Sequence, residues 1–222
     1  ARNLNFFDAT CPLVTQVHME VKKHAKANKD IILIGHEGHP EVEGTMGRHI
    51  NAENSSIYLV QDEVDATNIQ VKNSKSLALV TQTTLSVDET MSIIEILKKR
   101  FPKIEIPKKD DICYATQNRQ DAVKQLALES DYIIVVGSKN SSNSNRLKEL
   151  AEKCGCKSIL IDEFSDLDLE DLQKFENIAI TAGASAPESR VMEIAKSLEN
   201  YFDARLTEDG EDTENVLSLI HI

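Results

Sequence analysis

The chain has 222 residues, 41% hydrophobic and 28% charged, with 8 glycines and 5 prolines. That balance excludes disordered and collagenous classes and is enough for one large or two small packed domains. Its 25 Lys and Arg against 37 Asp and Glu leave a formal charge of −12, which argues against nucleic-acid and membrane surfaces as partners. Any anionic ligand must then be held by local geometry. The cysteines, Cys11, Cys113, Cys154 and Cys156, are too sparse for a disulfide framework. No run approaches the length of a membrane span and the start has no signal-peptide pattern, so a reducing, cytoplasmic location is expected. The chain opens on Ala without an initiator Met, as an interior segment of a longer protein would.

In chain order, apolar runs rich in Ile, Val and Leu predict buried parallel strands at residues 31–34, 57–60 and 77–80, and again at 132–136, 158–161 and 178–180. Residues 87–100 predict a helix. Ser86 stands at the N-cap with Glu89 three positions on, Met91, Ile94 and Leu97 share a face, and Lys98-Lys99-Arg100 ends it where the helix dipole favours cations. Residues 107–111 read as a linker. His18 and His24, on an earlier helical stretch, are expected at the surface.

Two copies of one plan follow from the spacing. Cys113 follows Cys11, and Gly137 follows Gly35, by the same 102 positions, which pairs His39 with Ser141 and Glu41 with Asn143. Residues 79–84 answer to 179–185 at an offset of about 100. The expected architecture is α/β: two related domains, residues 1–108 and 109–200, each a small parallel sheet flanked by helices, then a tail over 201–222. In such sheets ligands bind beyond the carboxyl ends of the strands, which places residues 35–41, 81–86, 137–145 and 181–187 on a functional rim. Cys11 and Cys113 are expected there too, each after the first strand of its copy.

Thiols at matched positions suit a soft metal, iron–sulfur or zinc. His39 and Glu41 flank Pro40, and a His with a carboxylate can donate or relay a proton near neutral pH. His36 and His39 with a cysteine also permit a zinc site, and a zinc hydrolase using Cys11, His39 and Glu41 is one reading open at this point. The run Ser138-Lys139-Asn140-Ser141-Ser142-Asn143-Ser144-Asn145 offers hydroxyl, amide and backbone N–H donors to an anion, and 181–188 is a second small-residue loop presenting Ser185 at a helix entry. A metal-free two-domain module binding phosphate or a phosphosugar would use the same loops. Cys154 and Cys156 read as ordinary thiols between a helix and a strand.

Six motifs in order, Asp-Ala-Thr-Cys-Pro-Leu-Val from position 8, Gly-His-Glu-Gly-His-Pro-Glu-Val-Glu-Gly-Thr from 35, Thr-Gln-Thr-Thr-Leu-Ser-Val-Asp from 81, Asp-Ile-Cys-Tyr-Ala-Thr-Gln-Asn-Arg-Gln from 111, Gly-Ser-Lys-Asn-Ser-Ser-Asn-Ser-Asn-Arg-Leu from 137 and Thr-Ala-Gly-Ala-Ser-Ala-Pro from 181, together resemble the 4-hydroxy-3-methylbut-2-enyl diphosphate reductase family. The resemblance implies a cytoplasmic oxidoreductase of the non-mevalonate isoprenoid pathway. It implies three α/β domains in pseudo-threefold array around a 4Fe-4S cluster, reductive dehydroxylation to isopentenyl and dimethylallyl diphosphate, and a ferredoxin or flavodoxin as electron donor. By the same resemblance Cys11 and Cys113 are metal ligands and Glu41 the proton donor. Thr83 and His39 lie about the reacting hydroxyl and the nearby phosphate, and Ser141, Ser142, Asn143 and Ser185 bind diphosphate. The family's first cysteine and two further histidines belong to an amino-terminal segment not represented in this chain, so it reads as the second and third domains, inactive alone. The last six residues, Leu217-Ser218-Leu219-Ile220-His221-Ile222, read as the translation of a transposon-end sequencing adapter.

Overall fold

The computed structural model describes residues 8, 10–50, 53–107 and 111–207; the expected adapter segment lies outside them, as does part of the expected linker. These residues form two compact units, one running to Thr83 and including Val87–Ile112, the other comprising Thr84–Ser86 and the chain from Cys113 onward.

The first unit runs α1 (Pro12–Lys26), β1 (Asp30–Ile34), α2 (Pro40–Met46), β2 (Ile57–Val60), α3 (Glu63–Asn68), β3 (Leu77–Thr81) and α4 (Val87–Arg100). Its sheet is parallel in the order β2-β1-β3, with Ile34 opposite Val60 on one side and Thr81 on the other. β1 is central and buried throughout because every residue after Asp30 is a β-branched or branched aliphatic, the composition of a strand covered on both faces. Ile31 and Leu33 pack with Val17, Val21, Ala25, Val42 and Val80 on the α1 and α2 face. Asp30 anchors the opposite end of the sheet: its carboxylate accepts from Ser56 N at 2.9 Å, Asn73 N at 2.8 Å and the Tyr58 hydroxyl at 3.1 Å, tying the approaches to β2 and β3 to β1.

The second unit repeats the plan as α5 (Tyr114–Glu129), β4 (Tyr132–Val136), α6 (Ser142–Lys153), β5 (Lys157–Ile161), a 3-10 turn at Phe164–Asp166, α7 (Leu169–Leu172), β6 (Ile178–Ala182) and α8 (Glu188–Phe202). Its sheet order is β5-β4-β6, again parallel. Ile133 and Val135 face Val123, Leu147, Ala151 and Leu160, while Tyr132, Ile134 and Val136 face Leu172, Ile194 and Leu198. That split is the two-residue alternation of a strand with helices on both sides. The α/β class and the two small parallel sheets agree with the sequence reading.

Four details differ from it. His18 and His24 are buried, since α1 turns them toward the sheet side of the helix together with Val17, Val21 and Ala25. The buried face of α4 is Thr90, Ile93 and Leu97, while Met91 is exposed, because a 3.6-residue repeat brings 90, 93 and 97 into line. Asp111 is not free linker: it is buried and accepts from Thr81 N at 3.0 Å. Finally, neither cysteine follows a strand of its copy. Cys11 is the N-cap of α1 and Cys113 the N-cap of α5, so each precedes the central strand by a whole helix.

A candidate oxyanion and proton-donor site at the strand ends

In each sheet the chain leaves the central strand toward one neighbour and returns on the other side, so the switch points are at the ends of β1 and β3 and of β4 and β6. That is where α/β sheets receive ligands. Residues 35–41, 81–86, 137–145 and 181–187 all follow carboxyl ends of strands, as expected from the sequence.

In the first unit the chain turns after Gly35 through Gly38, whose φ of +78° is a left-handed conformation that glycine adopts without strain. The turn is held from outside: His36 N donates to Gln82 Oε1 at 3.1 Å and Glu37 N to Gln61 Oε1 at 2.8 Å. His39 caps α2, its Nδ1 accepting from Glu41 N at 3.2 Å, which leaves the proton of the neutral ring on Nε2. Burial pushes the His39 pKa down, so the ring stays neutral at pH 7.

Glu41 sits one residue into α2, after Pro40, and its carboxyl reaches across to the loop after β3. Oε1 accepts from Thr83 N at 2.7 Å and Oε2 from Thr83 Oγ1 at 3.1 Å. Burial raises its pKa above the ordinary carboxylate value, and the two Thr83 hydrogen bonds partly oppose that shift. The result is a fixed carboxyl that keeps a proton more readily than a surface glutamate does.

In the second unit Ser141 caps α6, its hydroxyl accepting from Ser144 N at 3.3 Å. Ser142 Oγ receives a hydrogen bond from Thr84 Oγ1 at 3.1 Å. Asn143 is 4% exposed, yet neither its Nδ2 nor its Oδ1 finds a partner among the described residues, and the same is true of the fully buried Ser144 Oγ. Buried polar atoms are nearly always satisfied, so this cluster has capacity for a polar ligand or water. Ser185 lies exposed in the turn between β6 and α8, the turn closed by Ala186 N donating to Gly183 O at 2.9 Å.

Cys11 and Cys113 are free, half-buried and make no side-chain hydrogen bond to the helices they cap. Each sulfur is therefore available at a helix N-terminus, a place that favours a negative ligand group. Among the described residues no three His, Cys, Asp or Glu side chains converge on a metal-sized site, so Cys11, His39 and Glu41 are not gathered as a zinc hydrolase requires.

The structure thus brings together Glu41 with Thr83, and Ser141 with Asn143 on one helix start. Gln82, Gln61 and Asp111, whose side chains hold the rim loops, were not marked by the sequence. Ser144 lay within the Ser/Asn run, but nothing local marks which member of such a run turns inward.

A protein-family model described as LytB protein matches residues 1–199. The chain belongs to the LytB family. Among LytB relatives, proteins named 4-hydroxy-3-methylbut-2-enyl diphosphate reductase from Ectopseudomonas mendocina and Saccharophagus degradans are 56% and 59% identical, over 97% and 89% of this chain. The matches cover 68% and 63% of those relatives, so the chain spans about two thirds of their length. A solved structure titled as the E-1-hydroxy-2-methyl-but-2-enyl-4-diphosphate reductase from Plasmodium falciparum superimposes with a TM-score of 0.87 at 38% identity, covering 95% of this chain and 65% of that one. Among the described residues no helix is long and apolar enough to cross a membrane.

Protonation also couples this LytB chain's stability to pH. Burial lowers the pKa of His18, His24 and His39 below 6.5, so the folded state binds protons less readily than the unfolded chain. Their contribution is present above pH 6.5 and is lost as pH falls through that value toward the lower folded pKa values. Glu41 is opposite in sign: its raised pKa favours the folded state as pH falls toward 4.5. With three groups against one, the urea midpoint is expected to fall between pH 7.5 and 5.5, and to fall further in Glu41→Gln. A midpoint that rises over that interval contradicts the assignment.

Proposed function

We propose that this chain carries the proton donor and the diphosphate-binding donors of a 4-hydroxy-3-methylbut-2-enyl diphosphate reductase acting in the cytoplasm. The observation that carries the reading is Glu41: a carboxyl fixed through both oxygens to Thr83 and kept protonatable by burial, in a chain whose relatives bear that name. In the reaction two electrons and two protons convert an allylic alcohol diphosphate into isopentenyl or dimethylallyl diphosphate and water, the C–O bond breaking and a C–H bond forming.

Loss of hydroxide from carbon is slow unless it is protonated as it leaves, and a positioned acid serves that need. Each Glu41 oxygen already accepts from Thr83, so the proton sits on a remaining lone pair, directed away from Thr83. Thr83 orients this acid and lies near the reacting hydroxyl. His39, neutral with hydrogen on Nε2, donates to substrate oxygen without adding charge. Ser141, Ser142, Asn143 and Ser185 bind the diphosphate through neutral donors aimed by the start of α6 and the loop after β6, as an acidic chain requires.

Cys11 and Cys113, each a free thiol at a helix start, would serve as two thiolate ligands of a 4Fe-4S cluster. When bound, such a cluster supplies electrons and a Lewis-acidic iron, and a ferredoxin or flavodoxin would recharge it. The test is to join the chain to the segment by which its relatives are longer, purify without oxygen, and assay the allylic diphosphate with a chemical reductant. Turnover with iron–sulfur absorption is expected; a colourless, inactive protein rejects the reading.

A further inference from the structure

Ser144 lies where the duplicated fold differs most sharply from itself. It stands 102 positions after Val42, in the first turn of α6 as Val42 is in the first turn of α2. Both side chains pack against the glycine that ends the central strand. A Cβ on Gly35 would fall 2.6 Å from Val42 Cγ2; Cβ atoms on Gly137 and Gly183 would fall 2.3 Å and 2.0 Å from Ser144 Oγ. Gly137 and Gly183 therefore stay glycine so that the helix start can sit down between β4 and β6.

The first unit fills this place with methyl groups. The second fills it with a hydroxyl that is fully buried and has no partner among the described residues, beside an Asn143 amide in the same condition. The strand-end amides offer no relief, since Gly137 N already donates to Ile161 O and Gly183 N to Val136 O. An unpaired buried hydroxyl costs stability where an apolar group would not. Val42 shows that the fold accepts an apolar residue here, so the hydroxyl is explained by a partner that arrives with a ligand.

We propose that Ser144 is a positioning residue of the anion site, its hydroxyl taking up its missing hydrogen bond only when a diphosphate and its accompanying water settle on Asn143, and so fixing the first turn of α6 between the ends of β4 and β6. This rests on the diphosphate reading of Asn143. A serine held by protein partners would lose stability on truncation; Ser144 should not, because no protein group among the described residues bonds its hydroxyl.

The experiment titrates inorganic pyrophosphate into the full chain by calorimetry and records melting temperature without ligand, for the wild type, Ser144→Ala and Asn143→Ala. Ser144→Ala should melt at or above the wild-type temperature yet bind pyrophosphate roughly tenfold more weakly. Binding within twofold of wild type, or a lowered melting temperature in the free Ser144→Ala chain, overturns the inference. Loss of binding in Asn143→Ala with none in Ser144→Ala removes Ser144 alone. No pyrophosphate binding by the wild type, or undiminished binding in Asn143→Ala, removes the anion-site reading and this inference with it.

Discussion

Replacing Glu41 by Gln should lower reductase turnover by roughly 10²–10⁴-fold, the usual contribution of a positioned general acid, with little change in substrate affinity. Glutamine has nearly the same shape: its Oε1 can accept from Thr83 N while its amide nitrogen donates to a rotated Thr83 hydroxyl, so the contact is kept and the acidic proton is what is lost. The helix start itself should survive, because α2 is capped by His39 Nδ1 rather than by the Glu41 side chain. Thr83→Ala offers a companion test with a different signature. The Thr83 hydrogen bonds lower the Glu41 pKa against the effect of burial, so removing the hydroxyl should raise it further. The alkaline limb of the pH–rate profile should then move upward while Glu41→Gln abolishes that limb. Turnover of Glu41→Gln within tenfold of wild type would show that the proton comes from elsewhere.

The second large effect is expected at Cys113. Cys113→Ser should fold normally and lose most of its bound iron after anaerobic reconstitution, read by metal analysis and by the iron–sulfur absorption. Cys113 is half-buried and its sulfur makes no bond to the helix that it caps, so folding gains nothing from the thiol. Serine is a better N-cap than cysteine, and the substitution should leave α5 as stable as before or more so. Cys11→Ser at the start of α1 should behave alike, although Pro12 at the first helical position already favours that helix start. Cys156→Ser is a contrast: that thiol is buried, donates to Ser130 O at 3.3 Å and belongs to the apolar cluster under β4, so its replacement should cost stability without removing iron. Full iron content in Cys113→Ser refutes its assignment as a ligand. If pyrophosphate binding and folding persist and no iron ever binds any form, the metal-free phosphate-binding module is the better account.

Much of this molecule is legible in its sequence because burial in a parallel sheet is written locally. A run such as Tyr132-Ile133-Ile134-Val135-Val136, short, β-branched and bounded by Asp131 and Gly137, reads as a covered strand, and β2, β4 and α4 lie where periodicity and composition put them. The matched spacing of Cys11 to Gly35 and Cys113 to Gly137 revealed the duplication, and with it the strand-end loops that hold His39, Glu41 and Asn143. The repeat even carries into the register: Ile34 pairs with Thr81 as Val136 pairs with Ala182, an offset one residue larger than the sequence match at Thr81 and Thr181 implied.

The α/β class and the strand-end loops are thus legible from patterns no longer than one strand or helix, and the two copies from one repeated spacing. The tertiary structure alone decided which side chains in those loops meet. That Glu41 is held by Thr83, that Asp111 is bound to Thr81, that His18 and His24 face inward, and that Ser144 occupies a place shaped by Gly137 and Gly183 depend on segments brought together by chain closure across the sheet. Hydrophobic periodicity specifies a face toward the core, but a hydrogen bond between residues about forty positions apart depends on strand order and on how closely a helix start approaches the strand ends, neither of which is encoded in any local stretch.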